Sequence, residues 1–213
     1  MSKKTERQFR IALIGTDSLR AREIKDLLAG RQLPIKSMEF YDPEVAEEYS
    51  KLTEFRDEPK VIHHPYPELL EGLDLVFLAA DKETNRQFGR LAREKGFKAI
   101  DLEESFIDQP DVPLVVAGVN DQVLEREEVF LVSNPHPVTI FLTHVLAAVS
   151  SSYKIKKALA VVLQPVSAYA SAGIEELAEQ SYALLSSSSL SHKIFGDQIA
   201  FNFLPEARPE RWN

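Results

Sequence analysis

Short apolar runs separated by amphipathic segments organise the first part of the chain. Residues 9–14 form an apolar run that predicts a buried strand, and Gly15 opens the turn after it. The following segment has apolar residues at helical spacing and ends at Gly30, which predicts a helix. A second strand is predicted over residues 35–41. This β-α-β opening is typical of a doubly wound parallel sheet.

The alternation continues to about residue 132. Residues 74–80 are apolar almost throughout, as expected for a central parallel strand, whereas residues 42–67 carry a weaker pattern. The fold class is therefore α/β, with a Rossmann-like doubly wound parallel sheet in a first domain over residues 1–132. The further predicted strands cover residues 52–55, 60–63, 98–102, 113–117 and 129–132, and the further predicted helices cover 67–72 and 85–95.

The alternation of strands and helices stops near Ser133, which predicts a second domain over residues 133–213. Its first helix starts at Pro137, a residue that suits the first helical position. Apolar residues on most sides of this helix predict that it is largely buried. The rest of the second domain is predicted to contain a strand at 158–163, a helix at 174–185, a strand at 198–203 and a polar, mobile tail from 205.

Composition excludes several classes of function. The net charge of −8 argues against a nucleic-acid or anionic-membrane binder, which would need a basic face. The polar start of the sequence and the absence of a long apolar run predict a cytoplasmic protein with no membrane span. The 213 residues contain no cysteine. Disulfides, cysteine–zinc sites and thiol catalysis are therefore excluded within them.

The first turn occupies the position of a dinucleotide-binding fingerprint. Only Gly15 of that fingerprint is glycine, and Ser18 places a side chain where the backbone would approach a pyrophosphate. Arg20 or Arg22 could contact a phosphate, but Asp17 would compete for the same N–H groups as an internal anion. Two interpretations stay open, a retained cofactor site and a purely structural turn. The candidate cofactor-binding residues are Gly15, Thr16, Asp17, Ser18 and Leu19.

Other polar residues are weaker candidates for chemistry. His63 and His64 are adjacent on a predicted strand and should point to opposite faces, so no metal site is predicted there. Glu103 and Glu104 follow a strand end, where a solvated acidic loop is expected and an anionic ligand is disfavoured. His136 lies at the start of the helix from Pro137, and a capping or packing role is favoured there over a catalytic one.

Several segments, in order along the chain, resemble the aspartate-semialdehyde dehydrogenases, which are related to the N-acetyl-glutamyl-phosphate reductases. The matching segments are 110–116 with 119–120, then 133–135, then 164–167 with 173–177, and finally 198–202. The resemblance implies a Rossmann domain followed by an α+β catalytic and dimerisation domain, here shortened. It also implies reduction of an acyl phosphate, or the reverse reaction, with NADPH and a cysteine that forms a thioester.

The resemblance breaks at the residues that carry the chemistry. The family reads Asn-Pro, one variable residue, then Cys. Here Asn134 and Pro135 are present, His136 is the variable residue, and Pro137 occupies the cysteine position. Gln164, which helps to position substrate in the family, is retained.

The other family positions are also altered. Of the family's three-glycine turn, only Gly15 remains, and Glu103 and Glu104 replace two serines. Ile107 stands where the family has its substrate-phosphate arginine. The family's later arginine and histidine would fall beyond residue 213. The candidate catalytic positions, all vestigial, are Asn134, His136, Pro137 and Gln164.

These losses predict a catalytically inactive homologue that acts in binding or regulation, as a homodimer or paired with an active relative. Two alternatives stay open. One is an NADP-dependent dehydrogenase in which His136 acts as base or acyl acceptor. The other is a sensor that binds NADP(H) without chemistry at a weakened site.

Overall fold

The computed structural model describes residues 7–46 and 51–205. The chain divides into two compact units, residues 1–159 and 160–213. The predicted domain boundary at residue 133 stays a prediction, and each unit is described by itself.

The described part of the first unit forms a seven-stranded sheet flanked by helices. Short 3₁₀ helices at Pro67–Leu70 and Asp121–Glu125 connect its larger elements. The larger elements, in chain order, are β1 (Phe9–Ile14), α1 (Leu19–Gly30), β2 (Ile35–Tyr41), β3 (Lys51–Phe55), β4 (Glu58–His63), β5 (Leu75–Leu78), α2 (Lys82–Arg90), α3 (Ala92–Lys95), β6 (Lys98–Asp101), β7 (Leu131–Ser133) and α4 (Pro137–Ser150).

The strand order is β3-β4-β2-β1-β5-β6-β7, and all neighbouring strands are parallel except β3 and β4. Because Ile14 pairs with Leu78, Leu78 with Asp101 and Asp101 with Ser133, the carboxyl ends of β1, β5, β6 and β7 align at one edge. The strand order reverses direction at β1, which is the switch point where such sheets bind ligands. The predicted Rossmann-like doubly wound sheet is confirmed.

The core lies on both faces of the sheet, as the alternation of side chains along a strand requires. Leu13 of β1 packs in the same cluster as Ala21 and Leu28 of α1. Ile14, on the opposite face, packs in the cluster that contains Phe88 of α2 and Ala92 of α3. The helices therefore cover opposite faces, which confirms the doubly wound arrangement.

The second unit, where described, is a helix with a loop folded against it. A 3₁₀ turn at Val166–Tyr169 leads into α5 (Ala170–Ser186). Gln180, fully buried on α5, accepts hydrogen bonds from the backbone N–H groups of Ile199 (2.8 Å) and Ala200 (3.1 Å). This side chain therefore ties the last described loop to the helix.

Three predicted strands differ in the structure. Residues 113–117 form only an isolated bridge, in which Leu114 pairs with Ser133, the last residue of β7. Residues 158–163 and 198–203 form no strand, because no described backbone pairs with them in a ladder. Apolar sequence alone predicted these strands, but a strand also needs a neighbouring backbone to bond. The predicted polar tail falls mostly on residues 206–213, outside the described residues.

Helix α4 begins at Pro137 as predicted, but the prediction that it is largely buried is wrong. Every residue of α4 is at least partly exposed. Phe141 is 75% exposed and Val145 61% exposed. An apolar helix is buried only where another surface covers it, and the described residues leave α4 uncovered.

Candidate active site and cofactor crevice

The turn between β1 and α1 requires glycine at its first position. Gly15 has φ +86°, and a Cβ built there would lie 2.3 Å from the backbone N of Ala80. Its N–H donates to the carbonyl of Tyr41 at the end of β2 (2.8 Å). Gly15 thus permits the close approach of the β1 and β5 ends that a nucleotide-binding turn uses.

Thr16 is held by an acidic residue that follows β2. Its backbone N–H (2.8 Å) and its hydroxyl (2.7 Å) both donate to Oδ2 of Asp42, a side chain only 3% exposed. Burial raises the pKa of Asp42, but the hydrogen bonds from Thr16 and from the Glu44 N–H outweigh burial and hold the pKa below its usual value. The carboxylate at the end of β2, where a Rossmann fold contacts the ribose, is therefore engaged inside the protein.

The start of α1 is capped by the protein itself. The Ser18 hydroxyl accepts the N–H of Ala21 (3.0 Å), as N-cap residues do. Asp17 forms an ion pair with Lys51 at the start of β3, and hydrogen bonding to Asp17 raises the pKa of Lys51. Ser18 is therefore the N-cap of α1, and Asp17 neutralises the Lys51 cation beside the turn.

An ion pair crosses the carboxyl ends of the central strands. Arg20, in the first turn of α1, pairs with Glu103, which follows β6. Burial raises the pKa of Glu103, and the Arg20 charge opposes that rise without cancelling it. The prediction that Glu103 belongs to a solvated loop is wrong, because its side chain is only 24% exposed and is paired with a residue 83 positions earlier.

A buried polar network joins β6 and β7 behind this ion pair. The carboxylate of Asp101, fully buried, accepts from the Ser133 hydroxyl (2.7 Å), the Ser105 N–H (2.7 Å) and Nδ2 of Asn85 (3.3 Å). Asn85 Oδ1 in turn accepts the N–H of Ala80 (3.1 Å). Polar residues at the ends of apolar strands are a usable signal for such a network, which the sequence pattern alone leaves unassigned.

The network leads directly to the start of α4. The N–H of Asn134 donates to the carbonyl of Asp101 (2.8 Å), which fixes the segment that precedes the helix. Nδ1 of His136 accepts the N–H of Val138 (3.2 Å), so His136 is the N-cap. Pro137 occupies the first helical position and is exposed. The predicted capping role of His136 is confirmed.

The capping hydrogen bond restricts what His136 can do chemically. A neutral imidazole that accepts a hydrogen bond at Nδ1 carries its proton on Nε2. In this conformation neither ring nitrogen offers a lone pair to act as base or nucleophile. Pro137, beside it, has no hydrogen to donate and no atom that can attack a carbonyl.

The structure thus brings together most of the predicted site residues at one edge of the sheet. The turn, from Gly15 to Leu19, follows β1, and Asn134, His136 and Pro137 follow β7. Gln164 belongs to the second unit, where it is exposed before the 3₁₀ turn, so its place in the site stays a prediction.

The paired histidines lie at the carboxyl end of β4, which is separated from β1 by β2. His64 Nδ1 is 3.2 Å from the carbonyl of Val45, and its ring packs 5.0 Å from that of Tyr66. Across residues 7–46 and 51–205, no group of three or more histidine or acidic side chains is placed to hold a metal ion. The same ranges hold no helix long and apolar enough to span a bilayer.

Comparison with known proteins identifies the family. The model of the semialdehyde dehydrogenase NAD-binding domain matches residues 10–127, more than half of the chain. The chain belongs to the semialdehyde dehydrogenase family. It is a member whose 213 residues contain no cysteine.

Relatives that match nearly the whole of this chain agree with this assignment. An aspartate-semialdehyde dehydrogenase of Prochlorococcus marinus is 28% identical over 98% of this chain and 60% of its own length. One of Rickettsia bellii is 29% identical over 93% of this chain and 59% of its own length. The chain therefore spans about three-fifths of the length of the curated relatives it matches.

Solved structures share the fold. The crystal structure of aspartate semialdehyde dehydrogenase II from Vibrio cholerae has a TM-score of 0.83 and 26% identity, over 92% of this chain and 58% of that one. A Candida albicans aspartate semialdehyde dehydrogenase with NADP, at 17% identity and a TM-score of 0.53 over 68% of this chain and 48% of that one, shows the same fold. The described sheet is thus an aspartate-semialdehyde dehydrogenase-like Rossmann fold.

Proposed function

We propose that this chain is a catalytically inactive member of the semialdehyde dehydrogenase family with a binding or regulatory role. The observation that carries the proposal is the start of α4. Pro137 stands at the family's cysteine position, and the adjacent His136 uses Nδ1 to cap the helix. A thioester cannot form on proline, and loss of a catalytic nucleophile removes several powers of ten in rate.

The geometry of the crevice supports the same proposal. Anion binding at a helix N-terminus depends on free N–H groups and on nearby cations. Here Arg20 is paired with Glu103, Lys51 with Asp17, and Thr16 with Asp42. Internal carboxylates therefore hold Arg20, Lys51 and the Thr16 N–H, each of which could otherwise meet a phosphate, and we expect NADP(H) to bind weakly.

A second candidate function is an NADP(H) sensor. The retained Gly15 turn and the match to an NAD-binding domain favour it. Titration with NADPH, followed by nicotinamide fluorescence, separates the two proposals. If the chain is an inactive interaction protein, the fluorescence signal should not saturate at millimolar NADPH. If it is a sensor, NADPH should bind saturably without turnover.

An active dehydrogenase that uses His136 is the third candidate. It requires His136 to leave its capping position, because Nδ1 is engaged with Val138. Replacing His136 by Asn keeps a side-chain acceptor for the cap and removes the imidazole. Turnover that this substitution abolishes would support the third candidate. Absence of turnover in both proteins would support the inactive homologue.

We further propose that the chain associates through α4 with a second copy or with an active relative. The apolar side chains on α4 that are more than a third exposed are Phe141, Leu142, Val145, Leu146 and Val149. A contiguous apolar surface of this kind marks interaction sites in folded proteins. Sedimentation velocity should show a dimer that Phe141→Glu with Val145→Glu converts to monomer. A monomeric parent protein would count against homodimerisation.

The cytoplasmic location expected from the sequence remains part of this proposal. A reporter fusion that fractionates with the cytoplasm would agree with it, and one exported from the cell would not.

A further inference from the structure

A cavity in the first unit, away from the crevice, is lined by three arginines. It has a volume of about 640 Å³ and lies beside the C-terminal end of α2, α3 and the start of β7. Because helices run antiparallel to the strands they cover in this fold, these elements meet near the amino ends of β6 and β7. The cofactor crevice lies at the carboxyl ends, so the two sites are separate.

Two of the arginines have no side-chain partner among the residues that the structure describes. Within residues 7–46 and 51–205, neither Arg90 nor Arg126 makes a side-chain hydrogen bond or ion pair. Arg93 donates to the carbonyl of Glu128 (2.9 Å) and lies 5.8 Å from the centre of the Phe130 ring. Arg90 and Arg93 are three positions apart on helical backbone, so both project to the same side. Positive charges gathered in a concave surface favour the binding of an anion.

The cavity also offers apolar surface and an amide. Phe106 and Val112, both buried, line it together with the half-buried Phe130. The Gln109 side chain also lines the cavity and has no partner among the described residues. Ligand sites of this size combine an apolar lining with a few polar groups that fix orientation. The ligand that fits this surface has both a charge and an apolar body.

Two carboxylates, Asp111 and Glu128, also line the cavity. Neither pairs with a lining arginine, because none of these side chains takes part in an ion pair of the described residues. Three guanidinium groups outnumber the two carboxylates in a chain whose net charge is −8. The net charge of the cavity lining is therefore positive, opposite in sign to the net charge of the whole molecule.

We propose that this cavity, which we call the arginine cavity, binds a small organic anion with an apolar body, such as an aryl phosphate. The charged group contacts Arg90 and Arg126, and the apolar part contacts Phe106 and Phe130. The site is independent of the proposed loss of catalysis, because it shares no residue with the crevice.

Isothermal titration calorimetry with phenyl phosphate tests the proposal on the full chain. We expect a Kd of about 1 mM or tighter. Inorganic phosphate and phenol, which each lack one half of the ligand, should bind about tenfold more weakly or not at all. No binding of phenyl phosphate, or binding equal to that of inorganic phosphate, would overturn the proposal.

Variants locate the binding. The double variant Arg90→Gln, Arg126→Gln should weaken phenyl phosphate binding about tenfold or more, since it removes hydrogen bonds between charged groups, which are strong. Arg31→Gln, at an exposed arginine after α1, and Arg20→Gln, in the crevice, should leave the affinity unchanged. Equal losses in the control variants would contradict the site. Arg90 and Arg126 are both exposed, so thermal unfolding should confirm that the double variant folds.

The carboxylates provide a test of the ligand's charge. Glu128→Gln removes a negative group from the lining and should leave the affinity for phenyl phosphate unchanged or increase it. A tenfold loss of phenyl phosphate affinity in Glu128→Gln would mean that the cavity does not bind the ligand through its negative charge, and the proposal of an anion site would fail.

Discussion

Arg20 and Glu103 form an ion pair that links the start of α1 to the loop after β6. β5 lies between β1 and β6 in the sheet, so the pair crosses the strand ends where a dinucleotide would lie in a Rossmann fold. The carboxylate of Glu103 thus occupies the role that a cofactor phosphate would have toward Arg20. This relationship is the physical basis of our proposal that the chain binds NADP(H) weakly.

Removing the Glu103 charge should release Arg20 for a ligand phosphate. We expect Glu103→Gln to raise the affinity for NADPH about tenfold, because charge-assisted hydrogen bonds to phosphate are strong. Nicotinamide fluorescence measures the change. Glu104→Gln is the matched control, since it alters the net charge equally at a side chain with no ion pair among the described residues. Equal gains in both variants would show a general charge effect instead.

The same substitution has a predictable effect on stability. The pKa of Glu103 is raised in the folded protein, chiefly by burial, so the ionised carboxylate opposes folding at neutral pH. Below the unfolded pKa of about 4.3, where Glu103 is neutral in both states, this effect vanishes. Glu103→Gln should therefore have a higher free energy of unfolding than the parent at pH 7, with a gap that closes as the pH falls. Urea unfolding across that range would contradict the account if the variant were less stable at pH 7.

The contribution of Asp42 to stability should change with pH in the opposite direction. Its folded pKa is lowered, so its stabilising contribution is present above the unfolded pKa of about 3.9 and is lost as pH falls through the folded value. Asp42→Asn should reduce the free energy of unfolding by about 1–3 kcal/mol at pH 7, because the donors from Thr16 lose a charged acceptor.

Asp26→Asn is the control for Asp42, since Asp26 is exposed on α1 and should change stability by no more than about 0.5 kcal/mol. Equal effects of the two substitutions in urea unfolding at pH 7 would remove the special role of the Thr16–Asp42 contact. The gap between the parent and Asp42→Asn should also narrow below pH ~3.9.

Gly15, in the first turn, and Gly30, the last residue of α1, should differ in how far replacement by alanine changes stability. Gly15→Ala should destabilise the fold by about 1–3 kcal/mol or more, because the residue has φ +86° and its Cβ would meet the Ala80 backbone. Gly30→Ala, at the end of α1 with no atom within 4 Å of the new Cβ, should be neutral or stabilising by up to about 1 kcal/mol. Thermal unfolding compares them, and a tolerated Gly15→Ala would contradict the close approach.

Restoring the nucleophile alone should not restore the reaction. Pro137→Cys places a thiol at the N-terminus of α4, where the helix dipole favours thiolate. Arg20 would still be paired with Glu103, and Ile107 would still stand at the family's arginine position. We expect a cysteine that reacts with iodoacetamide but no NADP-dependent oxidation of aspartate semialdehyde. Turnover by this variant would show that the nucleophile was the decisive loss.

The sequence predicted the parallel sheet because its periodicity is local. The apolar run of β5 and the helical spacing of α1 each identify an element within a short window. The strand predicted over residues 158–163 failed because its hydrogen-bond partners cannot be known from its own residues. Burial of α4 failed for a similar reason, since an apolar helix is buried only where another surface covers it.

The site was predictable only in part. Capping by His136 follows from the neighbouring Pro137, and the Gly15 turn follows from the strand before it. The pairing of Arg20 with Glu103 joins residues far apart in the chain, and no local pattern distinguishes it from two solvated charges. The polarity of Asp101 at a strand end was visible, but its partners depend on the strand order.

The most direct test of the central claim is an assay of NADP- and phosphate-dependent oxidation of aspartate semialdehyde by the purified chain, followed by the appearance of reduced nicotinamide. We predict no turnover above a protein-free blank. Turnover that co-purifies with the chain and is abolished by His136→Asn would contradict it.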